Sequence, residues 1–229
     1  MTSSKWHALG NVYLLVEQAD ALTPDLAREL SHDTDGVLEV QGNNVTVWNP
    51  DGSIAEMSGN GARIAAAWLA RRTGARDVTL RVGERDVSAT VDGEDVTLDV
   101  GGVTVGERET VDGIELTPVS VGNPHAVVRH DPADIRRLGP QLEAHARFPD
   151  RTNVQLVRVD GEHDLTVAVW ERGAGETTAS GTSAIAATAA AIANGWCQSP
   201  VTVHMPGGDL RVELDGERAR LTGPAVELP

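Results

Sequence analysis

Trp170-Glu171-Arg172-Gly173-Ala174-Gly175-Glu176-Thr177-Thr178-Ala179-Ser180-Gly181-Thr182-Ser183-Ala184 decides the fold, because an earlier stretch answers it. That stretch is Trp48-Asn49-Pro50-Asp51-Gly52-Ser53-Ile54-Ala55-Glu56-Met57-Ser58-Gly59-Asn60-Gly61-Ala62. Moving from position 48 to position 170, a shift of 122, superimposes the Trp, the Ser-Gly of 58–59 on 180–181, and Ala62 on Ala184. A glutamate also precedes each serine, Glu56 by two positions and Glu176 by four. Each stretch follows an alternating run and opens an alanine-rich one. A polar residue presented twice at a strand-to-helix turn is a way to build a two-sided site. Ser58 and Ser180 are expected to face each other across one small substrate.

Working outward, residues 45–48 and 165–170 alternate as strands ahead of the two motifs. Helices are expected over 61–73, closed by Gly74, and over 181–194, closed by Gly195. Upstream of the first motif come a strand over 5–18 broken by Gly10-Asn11, a helix begun by Thr23-Pro24, and a turn at Asp35-Gly36 before a strand over 37–40. Upstream of the second, Gly122-Asn123 stands 112 positions after Gly10-Asn11, from 11 to 123. A helix over 132–147 replaces the first one, and 148–154 lead into a strand. Asp92-Gly93-Glu94 and Asp215-Gly216-Glu217, a shift of 123 from 92 to 215, are matching turns among the later strands. The fold expected is α+β. Two homologous α/β half-domains, 1–115 and 116–229, each wrap a curved, barrel-like mixed sheet around a central helix, related by a pseudo-two-fold axis. The last strand is able to return to the first half.

Composition narrows the function. A chain of 229 residues buries roughly 70% of its unfolded surface, so a core forms without staples. With 40% hydrophobic but only 3% aromatic residues, that core must be built from Val, Leu, Ile and Ala. A net charge of −15 argues against a nucleic-acid partner. No run reaches the length of a membrane span, and the start, MTSSKWHALGN, lacks a signal peptide's apolar stretch, so a cytoplasmic protein with no membrane partner is expected. Cys197 is the only cysteine and no Cys/His cluster has metal-ligand spacing, so no metal is expected. Lys5 is the only lysine, which disfavours pyridoxal phosphate and its Schiff base. No cofactor is expected.

The chemistry gathers at the helix starts. Ser58-Gly59-Asn60-Gly61 and Ser180-Gly181-Thr182 place unpaired N–H groups and a positive dipole end where a carboxylate can dock. Either serine alone reads equally well as a plain N-cap. The matched pair, set among glycines, reads better as a site. Asn11, Asn49, Asn123 and Asn153 recur at strand ends, where amides hold amino and carboxylate groups or shape turns. His125, in Gly122-Asn123-Pro124-His125, is a further candidate, and a lone histidine is more often structural. Glu171 and Arg172 suit an ammonium and a carboxylate, or each other.

At these residues the sequence resembles the diaminopimelate epimerase family over nearly its whole length. The resemblance lies in Leu9-Gly10-Asn11, Asn49 to Gly61, Gly122 to His125, Phe148-Pro149 with Thr152-Asn153-Val154, and Trp170 to Thr182. It implies two similar α/β domains and a cofactor-independent epimerase. In that family two cysteines flank the substrate α-carbon, one removing a proton and the other returning one to the opposite face. Both cysteine positions are serine here, Ser58 and Ser180, the catalytic residues the resemblance implies. Val12 stands where the family usually carries an aspartate, and Gly36 where a glutamine often sits. The substrate contacts carried over are Asn11, Asn49, Gly59, Asn60, Asn123, Asn153, Glu171, Arg172, Gly181 and Thr182.

The expected activity is interconversion of LL- and meso-diaminopimelate by proton transfer at the α-carbon, on a small amino-acid substrate. The resemblance also leaves open a homodimer. Two other readings stay open: a related isomerase, racemase or dehydratase on another amino acid, and a non-catalytic amino-acid-binding homologue. A hydroxyl does not ionise near pH 7, so a serine base needs a neighbouring base, and no lysine is at hand.

Overall fold

A computed structural model describes residues 2–18, 20–55 and 58–229. Glu56 and Met57 of the first motif lie outside the described residues. The chain forms two compact units, Met1–Asp99 with Thr222–Pro229, and Val100–Leu221.

In the first unit, β1 (Thr2–Ala8) and β2 (Asn11–Glu17) form an antiparallel hairpin, where one interrupted strand was expected. Leu9 and Gly10 both take positive φ and reverse the chain between them. Helix α1 (Pro24–Leu30) starts where Thr23 accepts the Leu26 N–H, and it carries the chain to β3 (Val37–Gln41), parallel to β2. β4 (Asn44–Trp48) returns antiparallel, and α2 (Gly59–Thr73) crosses to β5 (Asp77–Val82), parallel to β4. Gly74 closes α2 in the left-handed conformation, as the sequence predicts. β6 (Arg85–Asp92) and β7 (Asp95–Gly102) follow as antiparallel neighbours.

The second unit opens with β8 (Thr104–Val105) and β9 (Glu109–Val111), both paired to β10 (Ile114–Ser120). Those pairings attach residues ahead of 115 to this unit. From β10 the order of the first unit recurs. β11 (Pro124–Arg129) is antiparallel to β10 across a turn whose Gly122 has φ 87°, as Gly10 has φ 85°. Helix α3 (Ile135–Glu143) leads to β12 (Asn153–Gly161), parallel to β11, and β13 (Asp164–Glu171) returns antiparallel. The short strand β14 (Gly175–Thr177) pairs back on β13. Helix α4 (Gly181–Ala193) then crosses to β15 (Val201–Met205), parallel to β13, and β16 (Gly208–Asp215) pairs antiparallel with β15. β17 (Arg218–Pro224) follows, and β18 (Val226–Glu227) pairs with β1 in the first unit. Each unit therefore runs the same sequence of antiparallel, parallel, antiparallel, parallel and antiparallel pairings. The duplication read from the two motifs is a duplication of topology.

Composition explains the central helices. In α4, residues 183–191 are buried on all sides, as an all-round apolar helix must be. Its alanines let β8, β10–β13, β15 and β16 close on it, while α2 touches β1–β6 in the same way. The equivalent tryptophans are anchored alike: Trp48 donates to Glu39 at 2.9 Å and Trp170 to Glu143 at 2.7 Å. Helix α3 is shorter than the expected 132–147. Residues 132–134 form a 3-10 turn, and α3 ends at Glu143, the carboxylate that Trp170 and the Gly173 N–H hold in place. The glycine-rich loop after Trp170 contains β14 because Glu176 pairs across to Trp170.

Candidate active site

The two serines share a backbone and differ in what their hydroxyls do. Ser58 precedes α2 with φ −132° and ψ 115°, and Ser180 precedes α4 with φ −147° and ψ 122°. Ser58 Oγ accepts the Gly61 N–H at 3.0 Å and lies 3.2 Å from the Tyr13 hydroxyl. So Ser58 is the N-cap that the plain reading required, with a phenol beside it. Ser180, 8% exposed, makes no side-chain cap bond. Its electrostatic partner is instead the Glu171 carboxylate, whose pKa burial raises and the Ser180 hydroxyl draws partly back.

Close approach shapes the first helix start. A Cβ on Gly61 would stand 2.8 Å from Leu38 Cδ2 and 3.2 Å from Ser58 Oγ, so only glycine lets α2 begin against β3. Gly36, where the resemblance notes a missing glutamine, has φ 154°, and a Cβ there would stand 2.4 Å from the Trp48 carbonyl and 3.0 Å from the Tyr13 ring. This glycine seats the tyrosine.

The expected binding residues fall into two groups, one per unit. In the first, Asn60 Nδ2 donates to Asn11 Oδ1 at 2.6 Å, which joins the start of α2 to the start of β2. Asn49 donates to Ser53 Oγ at 2.9 Å and braces the 49–53 turn, so its amide is engaged locally. In the second, His125 Nε2 meets Asn123 Oδ1 at 2.9 Å, and Nδ1 meets Gln155 at 3.0 Å. Asn153 donates to the Pro124 carbonyl and accepts the Arg172 N–H, at 2.9 and 3.0 Å, tying the 122–125 turn to the 171–173 loop. The Arg172 side chain is exposed, and Gly181 and Thr182 form the first turn of α4.

His125 is 1% exposed with both ring nitrogens engaged, so it positions Asn123. Burial pushes its pKa down to about 3, against the Gln155 hydrogen bond, and the Arg172 charge adds to the depression. Between pH 6.5 and 3 the unfolded chain therefore takes up a proton that the folded one refuses, and stability falls as pH falls. Going from pH 7 to pH 4.5, this group alone removes roughly 2–3 kcal/mol. His125→Gln is expected to lose that much less over the same interval, read from denaturant midpoints at the two pH values.

A sequence model of diaminopimelate epimerase matches residues 3–106 and 117–228. The chain belongs to the diaminopimelate epimerase family. The diaminopimelate epimerase of Desulfitobacterium hafniense is 37% identical over 266 aligned residues, covering 97% of this chain and 94% of that protein. That of Pseudomonas fluorescens is 35% identical, covering 98% and 96%. Among solved structures, a phenazine biosynthesis protein of the PhzF family from Enterococcus faecalis aligns with TM-score 0.75 at 14% identity, over 99% of this chain and 96% of that one. A hydroxyproline epimerase from Agrobacterium vitis aligns with TM-score 0.64 at 15% identity, over 99% and 88%. These two likenesses concern the fold alone.

Within this diaminopimelate epimerase fold, sequence reasoning missed Tyr13, Arg63 and Gln155. Each had a faint signal. Tyr13 is the only tyrosine. Arg63 is a charge inside a run of glycine, alanine and isoleucine, and Gln155 a polar residue inside Val154-Gln155-Leu156-Val157.

Proposed function

We propose that the protein interconverts LL- and meso-diaminopimelate, with Ser58 and Ser180 as the groups that exchange protons with the α-carbon. The observation that carries this reading is that each hydroxyl has a titratable partner, Tyr13 for Ser58 and Glu171 for Ser180. A serine needs such a neighbour to act as a base or acid. On one face the Cα–H bond breaks and the proton passes to Ser180 Oγ, whose own proton passes to the Glu171 carboxylate. On the other face Ser58 gives its proton to Cα and takes one from the Tyr13 hydroxyl. The phenolate left behind gains from the positive charge of Arg63, which interacts favourably with ionised Tyr13. The reverse reaction exchanges the two roles.

Binding falls to Asn11, Asn49, Gly59, Asn60, Asn123, Asn153, Arg172, Gly181 and Thr182, with His125 holding Asn123. The helix starts of α2 and α4 suit substrate carboxylates. The fifteen excess negative charges support a protein that leaves nucleic acid alone, and a cytoplasmic setting fits an amino-acid substrate. Among the described residues no helix is long and apolar enough to cross a membrane. A homodimer rests on the family resemblance, and sedimentation of the purified chain tests it.

Chromatographic separation of the stereoisomers after incubation with LL-diaminopimelate tests the activity. Appearance of the meso form supports it, and substrate recovered unchanged refutes it. The pH dependence tests Glu171. Only its carboxylate accepts a proton, so the rate falls as pH drops through its pKa. Because burial raises that pKa, the fall begins at higher pH than an exposed glutamate would give. Glu171→Gln is expected to abolish this acidic limb along with most of the rate. An unchanged limb would remove Glu171 from the proton path.

A further inference from the structure

We propose that Arg63 is a positioning residue that fixes the donor and acceptor sense of the Asn60–Asn11 pair, so that Asn11 offers N–H donors to the ligand. The proposal deepens the reading above and rests on it for the ligand's identity. A guanidinium carries five donors and no acceptor. Arg63 Nη2 lies 2.5 Å from the Asn60 amide, so the atom facing it must be Oδ1. Asn60 Nδ2 then points the other way, to Asn11 at 2.6 Å, and the Asn11 atom that receives it must be Oδ1. Asn11 Nδ2 is left without a partner among the described residues, on a half-buried side chain. Side-chain amides are ordinarily ambiguous about which end is nitrogen. Here one residue that can only donate settles both.

The placement of Arg63 has no comparable structural reward. It is 0% exposed, and among the described residues no carboxylate pairs with it. Its other contacts are long, 3.4 Å to the carbonyls of Pro224 and Gly59. It sits in the first turns of α2, where the helix dipole opposes a cation. Burial pulls its pKa down to about 10, which leaves it charged at neutral pH. A buried charge with no carboxylate partner is costly, and the Tyr13 hydroxyl offsets it only when ionised. What Arg63 provides is polarity, carried through two amides to the ligand. The ligand group at Asn11 is therefore an acceptor, a carboxylate oxygen of the amino acid rather than its ammonium.

Asn60→Asp tests this, because it should move stability and binding in opposite directions. The carboxylate it introduces gives Arg63 a counter-charge, so the unfolding midpoint is expected to hold or rise. The same carboxylate can only accept, so Asn11 must turn its Nδ2 towards it and present a carbonyl to the ligand. Binding of LL-diaminopimelate, measured by titration calorimetry, is expected to weaken on the order of tenfold or more. Asn11→Asp is the second variant. It still accepts from Asn60 and should fold, yet it should bind at least as weakly as Asn60→Asp. A parallel loss of stability and binding in Asn60→Asp, or undiminished binding in Asn11→Asp, overturns the proposal. If the unsubstituted protein fails to bind diaminopimelate, the substrate reading falls by itself. The Asn60→Asp midpoint still decides Arg63, since a lowered midpoint refutes the uncompensated charge.

Discussion

Ser58→Ala and Ser180→Ala, made singly, are each expected to lower stereoinversion by roughly 10²–10⁴-fold, the usual worth of one general acid–base group. The loss should be one-sided. Removing one hydroxyl leaves the other able to take a proton and return it to the same face, so one isomer should keep exchanging its α-proton while inversion stops. The two variants should differ in stability as well. Ser58 caps α2 through the Gly61 N–H, so its loss costs about 1 kcal/mol. Ser180 makes no cap bond, and its loss should act through Glu171, raising that carboxyl's pKa further and moving the acidic limb to higher pH. Inversion within a factor of about three of the parent in both variants, far short of the loss of one acid–base group, would take the serines out of the mechanism. Tyr13 offers a parallel readout. It is the chain's only tyrosine, so its ionisation can be followed by ultraviolet difference absorbance. The alkaline limb of inversion should coincide with that ionisation and disappear in Tyr13→Phe.

Replacing both serines by cysteine is expected to raise inversion near pH 8, on the order of a hundredfold. A thiol ionises near pH 8.5, and lower at a helix N-terminus, whereas a hydroxyl must pass its charge to a neighbour at the moment of transfer. Ser58 and Ser180 precede equivalent helices, so both new thiols would meet the same kind of N-terminal field. The double variant should also lose its dependence on Glu171 and Tyr13, since a thiolate needs no relay. Glu171→Gln in the cysteine background should then cost much less than in the parent. Equal or slower inversion by the double cysteine variant would mean that the hydroxyl relays are better tuned than a thiol at these positions.

The fold was legible in the sequence because duplication leaves local signals twice. Ser58-Gly59 and Ser180-Gly181, the glycine caps at 74 and 195, and the turns at Gly10 and Gly122 each mark an element boundary in both halves. The sequence was less informative where pairing is long-range. β8 and β9 are two and three residues long and exist only because β10 offers them an edge, and β14 exists because β13 does. The end of α3 was misjudged for a similar reason. Glu143 is drawn to the Trp170 indole, a contact 27 residues away in sequence.

The site divides along the same line. Asn11, Ser58 and Asn60, and Asn123, Ser180 and Glu171, the residues proposed for the site, were singled out from motifs that sit where strands end and helices begin. Tyr13, Arg63 and Gln155 were missed because a side chain inside a strand or a helix reads as core until its polar atom is seen to have a destination. Tyr13 reaches Ser58 across 45 positions and Gln155 reaches Ser183 across 28. Asn49, His125 and Asn153 show the converse, since their polar atoms are engaged with neighbouring protein groups.

Incubation with LL-diaminopimelate in D₂O, followed by the α-proton resonance, reads proton transfer at the α-carbon itself. If Ser58 and Ser180 pass protons on opposite faces, that resonance is lost and meso-diaminopimelate accumulates with solvent deuterium at the inverted carbon. Loss should fail in the variant that lacks both hydroxyls. An α-proton signal that persists while the ligand is demonstrably bound would contradict the account and leave the chain an amino-acid-binding protein.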